Sequence, residues 1–275
     1  MAFSTLLVCL RLDESNEDIL AVARDVAARQ GSSVIGVVAR QAAAHLERPG
    51  PGPREPFQYD QQRFKEQASL AERELRSGLA HIDRLDWRAQ LTFGPANEYV
   101  AKEARAADLV IASLDGRERT IFPSGQPEAG DLFMRVGRPV LAVPSGASGF
   151  ASEMAMVCWI DSREARRAVA DALPLLEASK RTEVVEVAEA GASEDAQRRV
   201  EDVVAWLGRR RIQASARVEI AKGPEARQLA AIARALGADL IVAGAFGHTR
   251  LREWAFGGVT RDFLLVADRC VLASH

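Results

Sequence analysis

Three glycines and a hydroxyl late in the chain have the spacing best suited to chemistry. Gly244 and Gly247 stand three residues apart, nine residues (248–256) follow, and Gly257-Gly258-Val259-Thr260 then opens a helical stretch. Glycine lets the backbone approach a ligand closely and adopt positive φ. The free N–H groups at a helix start favour an anion, most often a phosphate, and Thr260 adds a hydroxyl donor. His248, Arg250 and Arg252 lie between the glycines. They either touch phosphates or form a solvated loop. Far upstream, Asp161 closes a short apolar run. It can accept from a ribose hydroxyl or an adenine amine, or cap the helix that follows it. Asp13 stands at the matching place nearer the start and reads as a cap. The competing reading of the glycines is turn chemistry kept from a phosphate-binding ancestor.

Nucleophilic catalysis is not expected. Neither Ser113 nor Ser162 sits in a Gly-x-Ser-x-Gly elbow, and no base is paired with a nucleophile. Weak ATP hydrolysis is the most the pattern allows. Cys9, Cys158 and Cys270 each lie in an apolar run. They read as buried thiols of a protein in a reducing compartment, not as a disulfide framework or a zinc cluster. His45, His81 and His275 have no partner at ligand spacing and read as surface residues.

The elements that must position these groups occur twice. Leu6-Leu7-Val8-Cys9-Leu10 with Asp13 matches Met156-Val157-Cys158-Trp159-Ile160 with Asp161. Phe93-Gly94-Pro95 followed by Ala107-Asp108-Leu109 matches Lys222-Gly223-Pro224 followed by Ala238-Asp239-Leu240. Arg138-Pro139-Val140-Leu141-Ala142 matches Arg269-Cys270-Val271-Leu272-Ala273. Three landmarks in one order predict two domains, 1–146 and 150–275, joined by a Ser/Gly-rich linker.

The second half reads as strands over 155–160, 182–187, 214–220, 240–243 and 271–273. Helices are expected over 163–178, 194–210, 225–236 and 258–266. Short, β-branched apolar runs separated by helices predict α/β domains, each a five-stranded parallel sheet with helices on both faces. The first half follows the same order. Its one irregularity is the Pro/Gly-rich stretch 48–56, an ordered excursion or a mobile loop.

The Gly-x2-Gly-x9-Gly spacing with a following hydroxyl, the Asp after the first strand and the closing Cys-Val-Leu strand resemble the universal stress protein family. The segment Ala238-Asp239-Leu240-Ile241-Val242-Ala243-Gly244 is similar to that family's fourth strand. The resemblance covers the chain as a tandem pair and is stronger in the second half. It implies Rossmann-like domains that commonly pair through their last strands. Some members bind ATP through the glycine loop and others do not, and many respond to starvation, oxidative or oxygen stress. Gly244, Gly247 and Gly257 match the motif glycines, and Thr260 matches its second hydroxyl. Gly258 departs, standing where the first hydroxyl is usual.

The first half has no Gly-x2-Gly after Ala112-Ser113, and Asp131 follows Gly130 where a hydroxyl is expected. A carboxylate there answers the helix dipole and repels phosphate. An adenine nucleotide, ATP by resemblance, is therefore expected only in the C-terminal domain. The rival readings are an interaction protein that binds no nucleotide and, last, an adenylyl-transferring enzyme. The latter lacks a His-x-Gly-His-type signature near the first strand.

Composition sets the remaining bounds. Lys+Arg is 36 against Asp+Glu 38, a net charge of −2, so no basic excess points to nucleic acid. No apolar run approaches the roughly 20 residues that span a bilayer, and the start lacks a positive n-region. The expectation is a cytoplasmic protein without a membrane partner. Its two domains pair through 140–143 and 271–274 within one chain, or leave an edge for a homodimer.

Overall fold

The protein, described by a computed structural model, is defined for residues 2–42, 55–114, 125–127, 129–245 and 268–275. The first half runs β1 (Thr5–Cys9), α1 (Glu17–Gln30), β2 (Ser33–Gln41), α2 (Glu55–Gly78), β3 (Leu85–Thr92), α3 (Ala96–Glu103), β4 (Leu109–Leu114), α4 (Ala129–Arg135) and β5 (Val140–Pro144). The second half runs β6 (Met154–Cys158), α5 (Arg163–Asp171), α6 (Leu173–Leu176), β7 (Arg181–Ala188), α7 (Ser193–Gly208), β8 (Ala214–Ile220), α8 (Glu225–Leu236), β9 (Leu240–Gly244) and β10 (Cys270–Ser274).

The ten strands of the described residues form one sheet in the order β3-β2-β1-β4-β5-β10-β9-β6-β7-β8. Read from its own outer edge, each half has the same order, 3-2-1-4-5 and 8-7-6-9-10. Within each half every pairing is parallel. The two halves meet where β5 and β10 run antiparallel, with Leu141 opposite Leu272. The expected five-stranded parallel sheets are thus the two wings of one larger, mostly parallel sheet.

Strands buried on both faces explain the unbroken apolar runs. Leu6, Val8, Leu141, Ala155, Val157 and Leu272 point to one core, which α1, α2, α5, α6 and α7 cover. Leu7, Val140, Ala142, Met156, Val271 and Ala273 point to the other, under α3, α4 and α8. Both cores run through the junction without a break.

The repeated landmarks have structural reasons. Asp108 accepts hydrogen bonds from the backbone N–H groups of Ser4 (2.8 Å) and Thr5 (3.0 Å), and Asp239 from those of Glu153 (2.7 Å) and Met154 (3.3 Å). Each Ala-Asp-Leu therefore ties the fourth strand of its half to the start of the first. Each Gly-Pro places its proline at a helix N-cap, Pro95 before α3 and Pro224 before α8.

Several expectations need correction. The strand expected over 155–160 ends at Cys158. The helix expected over 163–178 breaks at Ala172, because Pro174 brings no N–H to the ladder. The halves are tied together just after the Ser/Gly-rich connection. Phe150 is buried, its N–H donates to Asp25 (2.8 Å), Arg29 donates to Ala151 O (2.6 Å), and Gln30 donates to the Pro174 carbonyl (3.0 Å). The stretch 48–54 and the helix expected over 258–266 lie outside the described residues. No helix among the described residues is long and apolar enough to cross a membrane.

Candidate functional site

In sheets of this order ligands sit beyond the carboxyl ends of the strands, where the chain turns from one direction of winding to the other. Here those points lie between β1 and β4 and between β6 and β9. Val157 pairs with Val242 and Cys158 with Ala243, so β6 and β9 end side by side. The loop that carries Asp161 thus leaves the sheet at the same end as Gly244, 83 residues later in sequence (244 − 161). Of the other predicted site residues, Gly247, His248, Gly257, Gly258, Val259 and Thr260 lie outside the described residues, as do Arg250 and Arg252.

Gly244 has a clear packing role. A Cβ there would lie 2.6 Å from Ala165 N and 3.0 Å from Glu164 Cβ. The missing side chain lets the start of α5 rest directly on the end of β9. The connection that places α5 there is short, four residues (159–162). Its last residue, Ser162, caps the helix: its Oγ accepts from Ala165 N–H at 3.1 Å. Asp161 does not cap. Its carboxylate is about half exposed and pairs with the equally exposed Arg166. Such a surface pair is worth only about 0–1 kcal/mol, so Asp161 is readily released to another partner.

Three residues of this crevice were not singled out in the sequence. Ile160 is 53 % exposed, although it prolongs an apolar run that reads as buried strand. Trp159 packs on the core under α5, α6 and α7 with its Nε1 buried and without a partner among the described residues. Glu164 is 2 % exposed. Burial by itself raises its carboxyl pKa, but its own backbone N–H, the Arg163 guanidinium and the Ser162 hydroxyl together hold it below the ordinary value. An acid in a first helical turn is a signal for capping; only the contact with β9 shows that this one lies under the crevice floor.

The equivalent crevice of the first half is built differently. Its connection from β1 to α1 has seven residues (10–16). Asp13 does not cap α1, which begins four residues later. It accepts from Gln67 and from Gln126 Nε2 (3.2 Å), with Arg63 at 3.9 Å. Leu12 is buried, and its N–H donates to Gln126 Oε1 at 2.9 Å. Asn16 Oδ1 accepts from Arg11 N–H (2.7 Å), while its amide donates to Glu74 (2.7 Å). Asp18, the counterpart of Glu164, is buried against Arg11 at 2.8 Å. Ser113 stands at the place of Gly244, at the offset of 131 that also relates Ala107 to Ala238. It is buried and its Oγ has no partner among the described residues. Asp131 accepts from Asn97 Nδ2 at 2.7 Å.

The remaining candidates fall away from both crevices. Burial pushes the thiols of Cys9, Cys158 and Cys270 up to about 12. Cys158 is half-buried rather than enclosed, with Glu225 adding to the rise. His275 is half-buried, its Nδ1 3.2 Å from Ala245 O, and so is not a free surface group. His45 lies outside the described residues.

Comparison with known proteins places this geometry. The sequence model of the Universal stress protein family matches residues 154–274. No curated protein matches the sequence. A universal stress protein from Archaeoglobus fulgidus DSM 4304 has a similar structure, with a TM-score of 0.75 at 13 % identity over 98 % of this chain and 95 % of that one. A putative universal stress protein from Pseudomonas aeruginosa UCBPP-PA14 gives 0.63 at 17 % identity over 99 % and 93 %. A universal stress protein from Archaeoglobus fulgidus in complex with dAMP aligns with 52 % of this chain and 99 % of its own, at 15 % identity and a TM-score of 0.31. Residues 154–274 thus belong to the universal stress protein family, and the residues before them carry the same fold.

Proposed function

We propose that this chain is a universal stress response protein, a binding and regulatory protein of two tandem domains (1–146 and 150–275) with an adenine-nucleotide site confined to the second. The observation that carries this reading is Ile160. It lies 53 % exposed beside the exposed Asp161, just after β6. An exposed aliphatic face adjoining a carboxylate suits a flat heterocycle that carries N–H groups or a ribose. The matching Leu12 of the first half is buried, and Asp13, though exposed, is bonded within the chain to Gln67 and Gln126.

By the family resemblance, Asp161 receives a ribose hydroxyl or an adenine amine. Gly244, Gly247, His248, Gly257, Gly258, Val259 and Thr260 frame the phosphates, with ATP as the ligand. Binding steadies a conformation that partners recognise, and catalysis is no part of the reading. The described cysteines are all unpaired, which fits a reducing compartment such as the cytoplasm.

A second reading, an interaction protein without nucleotide, draws on Glu164 and Ser162. An ionised, buried carboxylate beneath Gly244 disfavours a phosphate, and the Ala165 N–H is already taken by the Ser162 cap. Gly258 further removes one hydroxyl donor.

Two measurements separate the readings. The first is the mass of small molecules released when freshly purified protein is denatured. The second is titration of the emptied protein with ATP. A released adenine nucleotide, with binding abolished in Gly247→Val, is the expected result. No release and no binding up to about 1 mM ATP, an affinity weaker than roughly 4 kcal/mol, overturns the first reading in favour of the second.

A further inference from the structure

The pairing of β5 with β10 consumes the inner edge of each half, so among the described residues the sheet offers backbone for further pairing only at its outer strands, β3 and β8. The two are covered differently. α7 lies chiefly over β8, whereas α2 divides itself between β2 and β3. One position of the second strand accounts for this. Gly36 pairs with Val8, and a Cβ there would overlap Leu75 Cδ2 of α2. The missing side chain lets Leu75 settle on β2 and draws the helix inward. The counterpart in the second half is Val184, which pairs with Val157 and carries a buried side chain at that place. In the first half a groove of about 610 Å³ therefore opens between α2 and the edge, lined by Phe64, Ala68, Trp87, Ala89, Leu91 and Phe93. Phe93 is 64 % exposed.

The even-numbered residues of β3 bond to β2: Arg84 O accepts from Val34 N–H (2.9 Å) and Thr92 O from Ala42 N–H (2.8 Å), with Trp87 opposite Gly36. Leu85, Trp87, Ala89 and Leu91 therefore direct their N–H and C=O groups away from the sheet. The Leu91 carbonyl accepts from the Gln90 side chain (2.9 Å), which is exposed and can swing aside. We propose that this edge and groove dock a second copy of the chain, β3 against β3 in antiparallel register, with Ala89 on the two-fold axis. The register sets Trp87 opposite Leu91 of the second copy and Leu85 opposite Phe93 of the second copy, large side chains flanking a small one. On the other face it sets Arg88 opposite Gln90 of the second copy and Asp86 opposite Thr92 of the second copy, so no like charges meet. The two α2 helices then lie antiparallel across the joined grooves. Lys65 and Glu72 both border the groove, about two turns apart, with Ala68 and Ser69 between them. A two-fold axis at these small residues brings Lys65 to Glu72 of the second copy, twice. Glu72 holds only an exposed pair with Arg76 (2.8 Å) on its own helix, which exchanges readily. Strand and helix are thus self-complementary about one axis, as an isologous interface requires. Two short edges and a narrow groove make a small interface, so association in the micromolar range is expected.

Sedimentation velocity of the full-length protein from about 1 to 500 µM tests this. The expected result is a concentration-dependent equilibrium of monomer and dimer. Ala89→Lys, at an exposed position, sets two ammonium groups at the axis and weakens dimerisation at least about tenfold, with the urea midpoint unchanged. Lys65→Glu weakens it about two- to fivefold, and adding Glu72→Lys restores it. Ala89→Cys gives a covalent dimer on mild oxidation, because the paired strands bring the two positions within disulfide reach, whereas Ser215→Cys on β8 stays monomeric. The proposal is overturned if the protein is monomeric throughout that range, if the dimer survives Ala89→Lys undiminished, if Glu72→Lys does not rescue Lys65→Glu, or if Ser215→Cys cross-links and Ala89→Cys does not.

Discussion

The two halves share strand order, register logic and repeated landmarks, yet among the described residues Leu12 after β1 is buried while Ile160 after β6 is exposed. The difference begins with three residues. The connection after β1 is seven residues long and the one after β6 is four. The longer one folds back on itself through Arg11, Asn16 and Asp18, buries Leu12 and delivers Asp13 to Gln67 and Gln126. The shorter one has no chain to spare. It leaves Ile160 and Asp161 exposed and sets α5 down on β9, which only a glycine at position 244 permits. The first half carries Ser113 at that position. A loop length and a single side chain thus decide together how each first helix meets the fourth strand of its half.

The comparison can be broken most readily at that contact. Gly244→Val drives a side chain into the backbone of Glu164 and Ala165, which cannot rotate away, and is expected to cost about 3 kcal/mol. Ser113→Ala removes a buried hydroxyl that has no partner among the described residues, and should leave stability within about 1 kcal/mol of wild type or raise it. Urea midpoints of the two variants measure the contrast. Equal losses would mean that the two crevices are built alike after all.

The two aspartates should differ less, but in the same sense. Asp13→Ala strips partners from Gln67 and Gln126 and is expected to cost about 1 kcal/mol. Asp161→Ala loses one solvent-exposed pair and should cost no more than about 0.5 kcal/mol. A larger loss at Asp161 would show that it holds the fold rather than standing free for a ligand.

Acid titration sharpens the same contrast. The Glu164 carboxyl is held below its ordinary value of 4.5 in the folded protein. Its ionised form therefore contributes stability that is fully present above about pH 4.5 and is lost as pH falls through the lower, folded value. Glu164→Gln should be less stable than wild type at pH 7, with the gap narrowing in denaturation series taken below pH 4.5. A gap that widens on acidification would reverse the assignment.

The smallest expected difference is in thiol access. Cys9 and Cys158 end the first strand of each half, and burial raises both to about 12. Alkylation at pH 8 should be slow at both, because so little thiolate is present. Cys158, the less enclosed, should label first in mass-spectrometric time courses. Faster labelling of Cys9 would place the more open crevice in the first half.

Much of this architecture can be read from residue order alone. The doubled Ala-Asp-Leu and Gly-Pro landmarks reveal the repeat because each does a local job, an Asp binding the neighbouring strand's amides and a Pro starting a helix. The apolar runs reveal a sheet covered on both faces because a strand buried twice has no polar side to alternate. Of the motif glycines only Gly244 is among the described residues, and it packs against Glu164 and Ala165. Pairing across the β5–β10 junction was legible as one alternative, since 140–143 and 271–274 are apolar strands with a free edge. Their antiparallel register, with Leu141 against Leu272, required the folded chain.

What tertiary structure alone decided are the relations between distant residues. Ile160 continues an apolar run, and nothing in its type shows that the strand ends two residues earlier and leaves it exposed. Gln126 has no motif around it; its amide matters because a segment after β4 crosses to β1, 113 residues away (126 − 13). Gly244 reads as a ligand-loop glycine, and only the approach of α5 shows that a helix occupies the space its side chain would fill. The sequence by itself determined the elements, the repeat and the place of the crevices, because those follow from periodicity and local hydrogen bonding. Which groups meet after β1 and after β6 was decided by side chains meeting across the sheet, an arrangement set by packing and loop length rather than by any local pattern.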